Sequence, residues 1–113
     1  MKYMFLIYTP PGGRPSPEEQ AKIMPLWEAY TNELRDRKAL IDGAPLAEPT
    51  SATTVRAHNG KRTVTDGPFA ETKEWLGGYY LVDFPTLDQA IEYAAKCPAA
   101  QYGSIEVRPL IEM

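Results

Sequence analysis

Lys2-Tyr3-Met4-Phe5-Leu6-Ile7-Tyr8 is β-prone and almost wholly apolar, with Tyr3, Phe5 and Ile7 on one side and Met4, Leu6 and Tyr8 on the other. A strand that is apolar on both sides belongs in the middle of a sheet, with both of its faces covered. A second such stretch, Leu76 to Phe84, contains Gly77-Gly78-Tyr79-Tyr80-Leu81-Val82. Two further stretches are strands of a different kind. Ala39 to Pro45 carries Gly43 and Pro45, and Ser104 to Glu112 carries Pro109; these residues interrupt the hydrogen-bonding ladder and suit edge positions. In the last strand Ile105, Val107 and Ile111 are expected to face in and Glu106, Arg108 and Glu112 out.

Helices fill the gaps. Ser16-Pro17-Glu18-Glu19 is a start signal, in which Ser16 accepts from the N3 amide, Pro17 needs no donor at N1, and Glu19 completes a capping box. Ile23, Trp27, Tyr30 and Leu34 then draw an apolar stripe along a helix running to about Lys38, with a kink or restart expected at Pro25. Thr86 and Gln89 form a second capping box, and Leu87, Ala90, Ile91, Ala94 and Ala95 predict the buried stripe of a short helix ending at Cys97-Pro98. Thr53 to Ala57 and Arg62 to Thr65 flank His58-Asn59-Gly60-Lys61, a strong hairpin signal. With that hairpin set aside as an insertion, the order is strand, helix, strand, strand, helix, strand. This is the α+β, ferredoxin-like βαββαβ arrangement, with the first and third strands central.

Length and charge set bounds on function. A chain of 113 residues, 43% hydrophobic and 24% charged, is expected to form one domain over residues 1–113 and to bury roughly 65% of its unfolded surface. A net charge of −3 gives no basic stripe for nucleic acid, and no stretch reaches the ~20 apolar residues that span a bilayer. One cysteine, Cys97, and one histidine, His58, supply neither an internal disulfide nor a structural zinc site, so no metal or cofactor is expected and the cytoplasm is the expected compartment. Cys97 reads as an inert small hydrophobe and His58 as a wet hairpin residue.

Two helices cover only one face of a four-stranded sheet. Leaving the other, of order 400 Å², in water would cost roughly 10 kcal/mol at ~25 cal/mol per Å². A second copy placed face to face supplies the cover, so the expectation is a homodimer joined through the sheet face as a dimeric α/β barrel. In the competing reading the loops and the inserted hairpin fold over that face.

The run Asp66-Gly67-Pro68-Phe69-Ala70-Glu71-Thr72-Lys73-Glu74, followed by Leu76-Gly77-Gly78-Tyr79-Tyr80 and Ile105-Glu106-Val107-Arg108-Pro109, resembles the DGPF, or YCII-related, proteins. The resemblance extends to Lys2-Tyr3-Met4 and so spans nearly the whole chain. It implies a ferredoxin-like dimeric barrel, a bacterial intracellular setting, genomic association with extracytoplasmic-function sigma factors, and an activity largely unassigned. In some relatives it implies a histidine and aspartate pair in the cleft; here the one histidine sits beside a hairpin turn and matches no such position.

The candidate chemistry lies between Asp66 and Glu74. Asp66 or Glu74 is a candidate general base, with Lys73 holding an anionic group or developing oxyanion. The competing reading has Asp66 capping a turn and the other charges solvated or paired across subunits. Tyr8, Glu71, Tyr80 and Arg108 are candidate ligand-binding residues. Tyr8, Tyr79, Tyr80 and Trp75 are read as an aromatic wall for a small ligand whose carboxylate meets Arg14 or Arg108. Two functions stay open: a cofactor-independent acid/base enzyme acting on a small molecule, and a non-catalytic binding or accessory module tied to sigma-factor regulation.

Overall fold

In the computed structural model, which describes residues 1–12, 15–69 and 73–113, eight regular elements follow one another. They are β1 (Lys2–Thr9), α1 (Pro17–Asp36), β2 (Leu40–Pro45), β3 (Thr53–His58), β4 (Lys61–Asp66), β5 (Trp75–Asp83), α2 (Leu87–Ala95) and β6 (Ser104–Pro109). The four-stranded sheet has the order β2-β5-β1-β6, with every neighbouring pair antiparallel, while β3 and β4 form a two-stranded sheet of their own. This is the ferredoxin-like topology with an inserted hairpin. The two strands that are apolar on both sides are the central pair, and the proline-bearing strands are the edges.

Local chemistry sets the element ends. Ser16 caps α1 by accepting from the Glu19 amide at 3.3 Å, and Thr86 caps α2 by accepting from the Gln89 amide at 3.2 Å. At the end of α1, Lys38 adopts a left-handed backbone (φ 58°). The Lys38 amide donates to the Arg35 carbonyl and the Ala39 amide to the Leu34 carbonyl, the paired bonds of a Schellman cap. The helix therefore stops at Asp36, two residues before the expected end, and it continues through Pro25 with no restart. Asn59 and Gly60, both at positive φ, turn the β3–β4 hairpin as their sequence requires.

Cross-strand pairing assigns the two faces of the large sheet. Phe5 pairs with Tyr80 and Val107, and Tyr3 with Val82, so these residues share a side with Ile7 and Ile105. Both helices pack on that side. Tyr3, Phe5, Ile7 and Val82 form one buried cluster with Tyr30 and Leu34 of α1 and with Ala90, Tyr93 and Ala94 of α2. The Tyr30 hydroxyl donates to the Tyr93 carbonyl at 2.8 Å, tying the two helices together.

Met4, Leu6, Tyr8, Tyr79 and Leu81 occupy the opposite face and are only half-buried in the single chain. The hairpin gives that face little cover, since all six residues of β4 are exposed.

Two expectations about burial are corrected. Leu87 and Ile91 of α2 are 49% and 50% exposed, and the helix instead turns Ala90, Tyr93 and Ala94 inward, where the Tyr93 ring stacks on Phe84 at 5.2 Å. Ile111 is 87% exposed because it lies beyond β6, which ends at Pro109, and past the last ladder bond, from the Leu110 amide to the Lys2 carbonyl. Cys97 is buried as expected. Desolvation pushes its thiol up to about 11, and hydrogen bonds from Ala99 and Ala100 only partly oppose this.

Candidate functional site

The helix-covered side is not sealed along its whole length. Where α1 passes over the β2 edge, a cavity of about 690 Å³ opens between helix and sheet, within the usual range of small-molecule sites. Its floor consists of small residues, Gly43 and Ala44 from β2 and Gly77 and Gly78 from β5. Two of these glycines are required by close approach. A Cβ on Gly43 would stand 2.8 Å from the Tyr80 ring, and one on Gly78 would stand 3.0 Å from the Ala44 carbonyl oxygen. With no side chain at Gly43, the Tyr80 ring comes close to the backbone of β2.

Aromatic rings make the walls. Trp27 stacks on Tyr80 at 6.4 Å with 21° between planes, and Tyr30 meets the Tyr80 edge at 5.6 Å and 76°. The Tyr80 hydroxyl and Thr31 Oγ1 are 2.7 Å apart, which anchors the hydroxyl end of the ring to α1. Burial raises the Tyr80 phenol above its ordinary value, against a smaller lowering by the Thr31 hydrogen bond, so the group stays neutral and donor-capable.

Trp75 and Tyr102 complete the aromatic lining. Trp75 reaches this side through a β-bulge: Ile7 pairs with Gly78 but Tyr8 pairs with Leu76, leaving Gly77 as the extra residue. Strict alternation would send Trp75 to the open face. The bulge reverses the phase, and Trp75 pairs with Thr9 on the cavity side.

The polar groups come mainly from one stripe of α1. Thr31, Asn32 and Arg35 lie three, four and seven residues after Glu28 and line the cavity with it, with Glu48 facing from the segment after β2. Arg35 Nη1 donates to Asn32 Oδ1 at 2.9 Å, which holds the guanidinium at the rim. One cation and a hydroxyl pair beside an apolar box offer hydrogen-bond donors to a flat ring bearing oxygen substituents.

The residues singled out in the sequence are divided among separate places. Tyr80 and Trp75 line the cavity. Tyr8 and Glu74 come together on the other side of the sheet, in a shallow hollow of about 350 Å³ shared with Ser104, Ile105 and Glu106, where Ser104 Oγ lies 3.3 Å from Glu74 Oε1. Arg108 pairs with Glu106. Asp66 ends β4, opposite Thr53, and is exposed; Lys73 is exposed as well. Glu71 and Arg14 lie outside the described residues.

Tyr8 and Tyr80 therefore occupy opposite faces and do not form one aromatic wall. Trp27, Thr31 and Arg35 line the cavity in addition to the residues expected from the sequence. The available signal was their helical spacing, which places a polar strip beside Trp27 on the same face.

Comparison with known proteins fits this architecture. The ferredoxin-like α+β sheet defines a broad structural class, and within it the chain belongs to the YCII-related domain family, whose model matches residues 1–113. It is 41% identical over 97 residues to an uncharacterized protein of Rhizobium meliloti (strain 1021), covering 84% of this chain and 78% of that one. Among solved structures it is similar to 5-chloro-2-hydroxyhydroquinone dehydrochlorinase (TftG) from Burkholderia phenoliruptrix AC1100, in complex with 2,5-dihydroxybenzoquinone. The TM-score is 0.58 at 15% identity, covering 100% of this chain and 96% of that one. At that identity the likeness concerns the fold. Among the described residues, no helix is long and apolar enough to cross a membrane.

Proposed function

We propose that this protein binds a small planar aromatic molecule carrying oxygen substituents, in the cavity between α1 and the β2–β5 edge of the sheet. The observation that carries the reading is the pairing of a glycine and alanine floor with a Trp27–Tyr80 wall, a slot whose shape and polarity match a flat ring. The Tyr80 and Thr31 hydroxyls and the Arg35 guanidinium are placed to meet the ring's oxygens. The structural neighbour's complex with 2,5-dihydroxybenzoquinone suggests a probe of the right chemistry.

The working unit in this reading is a homodimer joined through the open sheet face. Support comes from Met4, Leu6, Tyr8, Tyr79 and Leu81, an apolar patch that a single chain leaves half-covered. A second reading, acid/base catalysis at that face, is favoured by the hollow holding Tyr8 and Glu74. There Glu74 would act as general base, with Arg108, on the same face, holding an anionic substrate.

Calorimetric titration with 2,5-dihydroxybenzoquinone separates the two sites. Binding weakened at least tenfold by Trp27→Ala and unchanged by Glu74→Gln supports the cavity; the reverse pattern moves the site to the open face. A probe recovered chemically unchanged marks a binding module, and a probe consumed marks an enzyme.

A further inference from the structure

The inserted hairpin stands out from the rest of the molecule. It forms a sheet of only two strands, and an isolated two-stranded ribbon is marginally stable in water unless something packs on it. All six residues of β4 are exposed. Val55 and Val64 sit directly opposite one another, 58% and 59% exposed, and so present a paired apolar spot on one side of the ribbon. At its root the Phe69 ring, 75% exposed, lies 5.2 Å beneath the Arg56 guanidinium. The hairpin's base is nonetheless fixed: the Gly67 amide donates to the Ala52 carbonyl at 2.7 Å, and the Thr54 hydroxyl to the Gly67 carbonyl at 2.8 Å.

The shape agrees. The Cα radius of gyration is 16.0 Å, against about 13 Å for a compact domain of this length, and the molecule measures 46 × 43 × 19 Å. A flat body with a projecting ribbon is poorly shaped to exist alone.

We infer that the β3–β4 hairpin is a dimerisation arm that lies against a second copy of this chain. The inference rests on the dimer reading above and adds a second contact to it. Two observations select a second copy as the occupant.

The first is area. Four strands spaced ~4.8 Å apart and roughly 20 Å long give the open face a projected area of roughly 400 Å², whereas a standard stable interface buries about 800 Å² per partner. The arm, exposed and with the Val55–Val64 pair at its centre, is a surface fit to add to that face.

The second is charge. Residues 53–66 carry Arg56, Lys61 and Arg62 against Asp66 alone, so the arm is net positive on a chain whose total is −3. The rest of the chain is correspondingly more acidic than that total, which makes another copy electrostatically complementary to the arm. Three cations on a short ribbon are too few to hold a nucleic acid against the field of this acidic body.

The test is the dimer dissociation constant of the full chain, measured by analytical ultracentrifugation alongside circular dichroism. The wild type is expected at twice the 12.6 kDa chain mass. Val55→Asp/Val64→Asp should raise the dissociation constant at least tenfold with the body still folded, because β4 lies outside the core cluster. Val55→Thr/Val64→Thr keeps the strand propensity and removes only apolar contact; it should loosen the dimer by a smaller factor, showing that contact rather than a melted ribbon is responsible.

A wild-type dimer split by Leu6→Asp but unaffected by both valine pairs overturns the arm and leaves the dimer standing. A wild type that sediments as a folded 12.6 kDa monomer overturns the dimer reading and the arm with it.

Discussion

The two faces of the central strands come from the same residues and end in different states. Tyr3, Phe5 and Ile7 of β1 are between 0% and 6% exposed, sealed under two helices that tie to one another through Tyr30 and Tyr93. Met4, Leu6 and Tyr8 alternate with them, are equally apolar, and remain half-covered. Hydrophobicity alone therefore does not decide burial. The supply of covering elements does, and this chain has helices for one side only. Where that supply thins on the sealed side, at the β2 edge, the structure leaves a cavity, and the residues around it are those a ligand would need: flat rings, small floor residues and a few anchored polar groups.

Substitution of neighbouring residues in β1 exposes the contrast most directly. Phe5→Ala removes a fully buried ring from the sealed side and should cost about 3–5 kcal/mol in urea unfolding. Leu6→Ala, one residue along, should cost under about 1.5 kcal/mol in the dilute chain; with the proposed second copy over the face, the cost rises with protein concentration. Equal, concentration-independent costs would mean the two faces are not distinct.

A smaller effect comes from alkaline titration of the sealed side. The Cys97 thiol is held up to about 11 from an ordinary 9.0, chiefly by burial, so the unfolded chain gives up this proton first. Between about pH 9 and 11 the native state therefore holds more protons than the unfolded state, and stability falls as pH rises. The contribution, intact below that window, amounts to roughly 2–3 kcal/mol. Unfolding followed across this range should show the slope, and Cys97→Ala should flatten it; the tyrosines Tyr30 and Tyr80, also raised by burial, act in the same direction at higher pH.

The limits of sequence reading follow the same division. Signals carried by a few adjacent residues came through intact: the Ser16 and Thr86 caps, the Asn59-Gly60 turn, the paired apolar strands at the centre and the proline-marked edges. Signals that depend on phase did not. Alternation in β5 cannot say which of two apolar faces receives the helices, so Tyr8 and Tyr80 were grouped although they lie on opposite sides.

The Gly77 bulge, invisible in an alternating pattern that contains two glycines, decides where Trp75 points. In α2 the apolar residues occupy too much of a nine-residue helix to fix its rotation, and Tyr93 took the place expected for Leu87 and Ile91. Trp27 was read as part of the α1 core stripe; only the three-dimensional position of β2 turns it into a cavity wall.

Both tryptophans of the chain, Trp27 and Trp75, line the cavity, so their two indole N–H resonances form a built-in reporter for it. Titration of labelled protein with 2,5-dihydroxybenzoquinone and a set of small hydroxylated aromatics, followed by two-dimensional NMR, measures the central claim directly. Shifts of both indole signals, with the amides of Tyr8, Ser104 and Glu106 unmoved, are the predicted result. Shifts confined to those open-face amides, with both indoles unchanged, would contradict it.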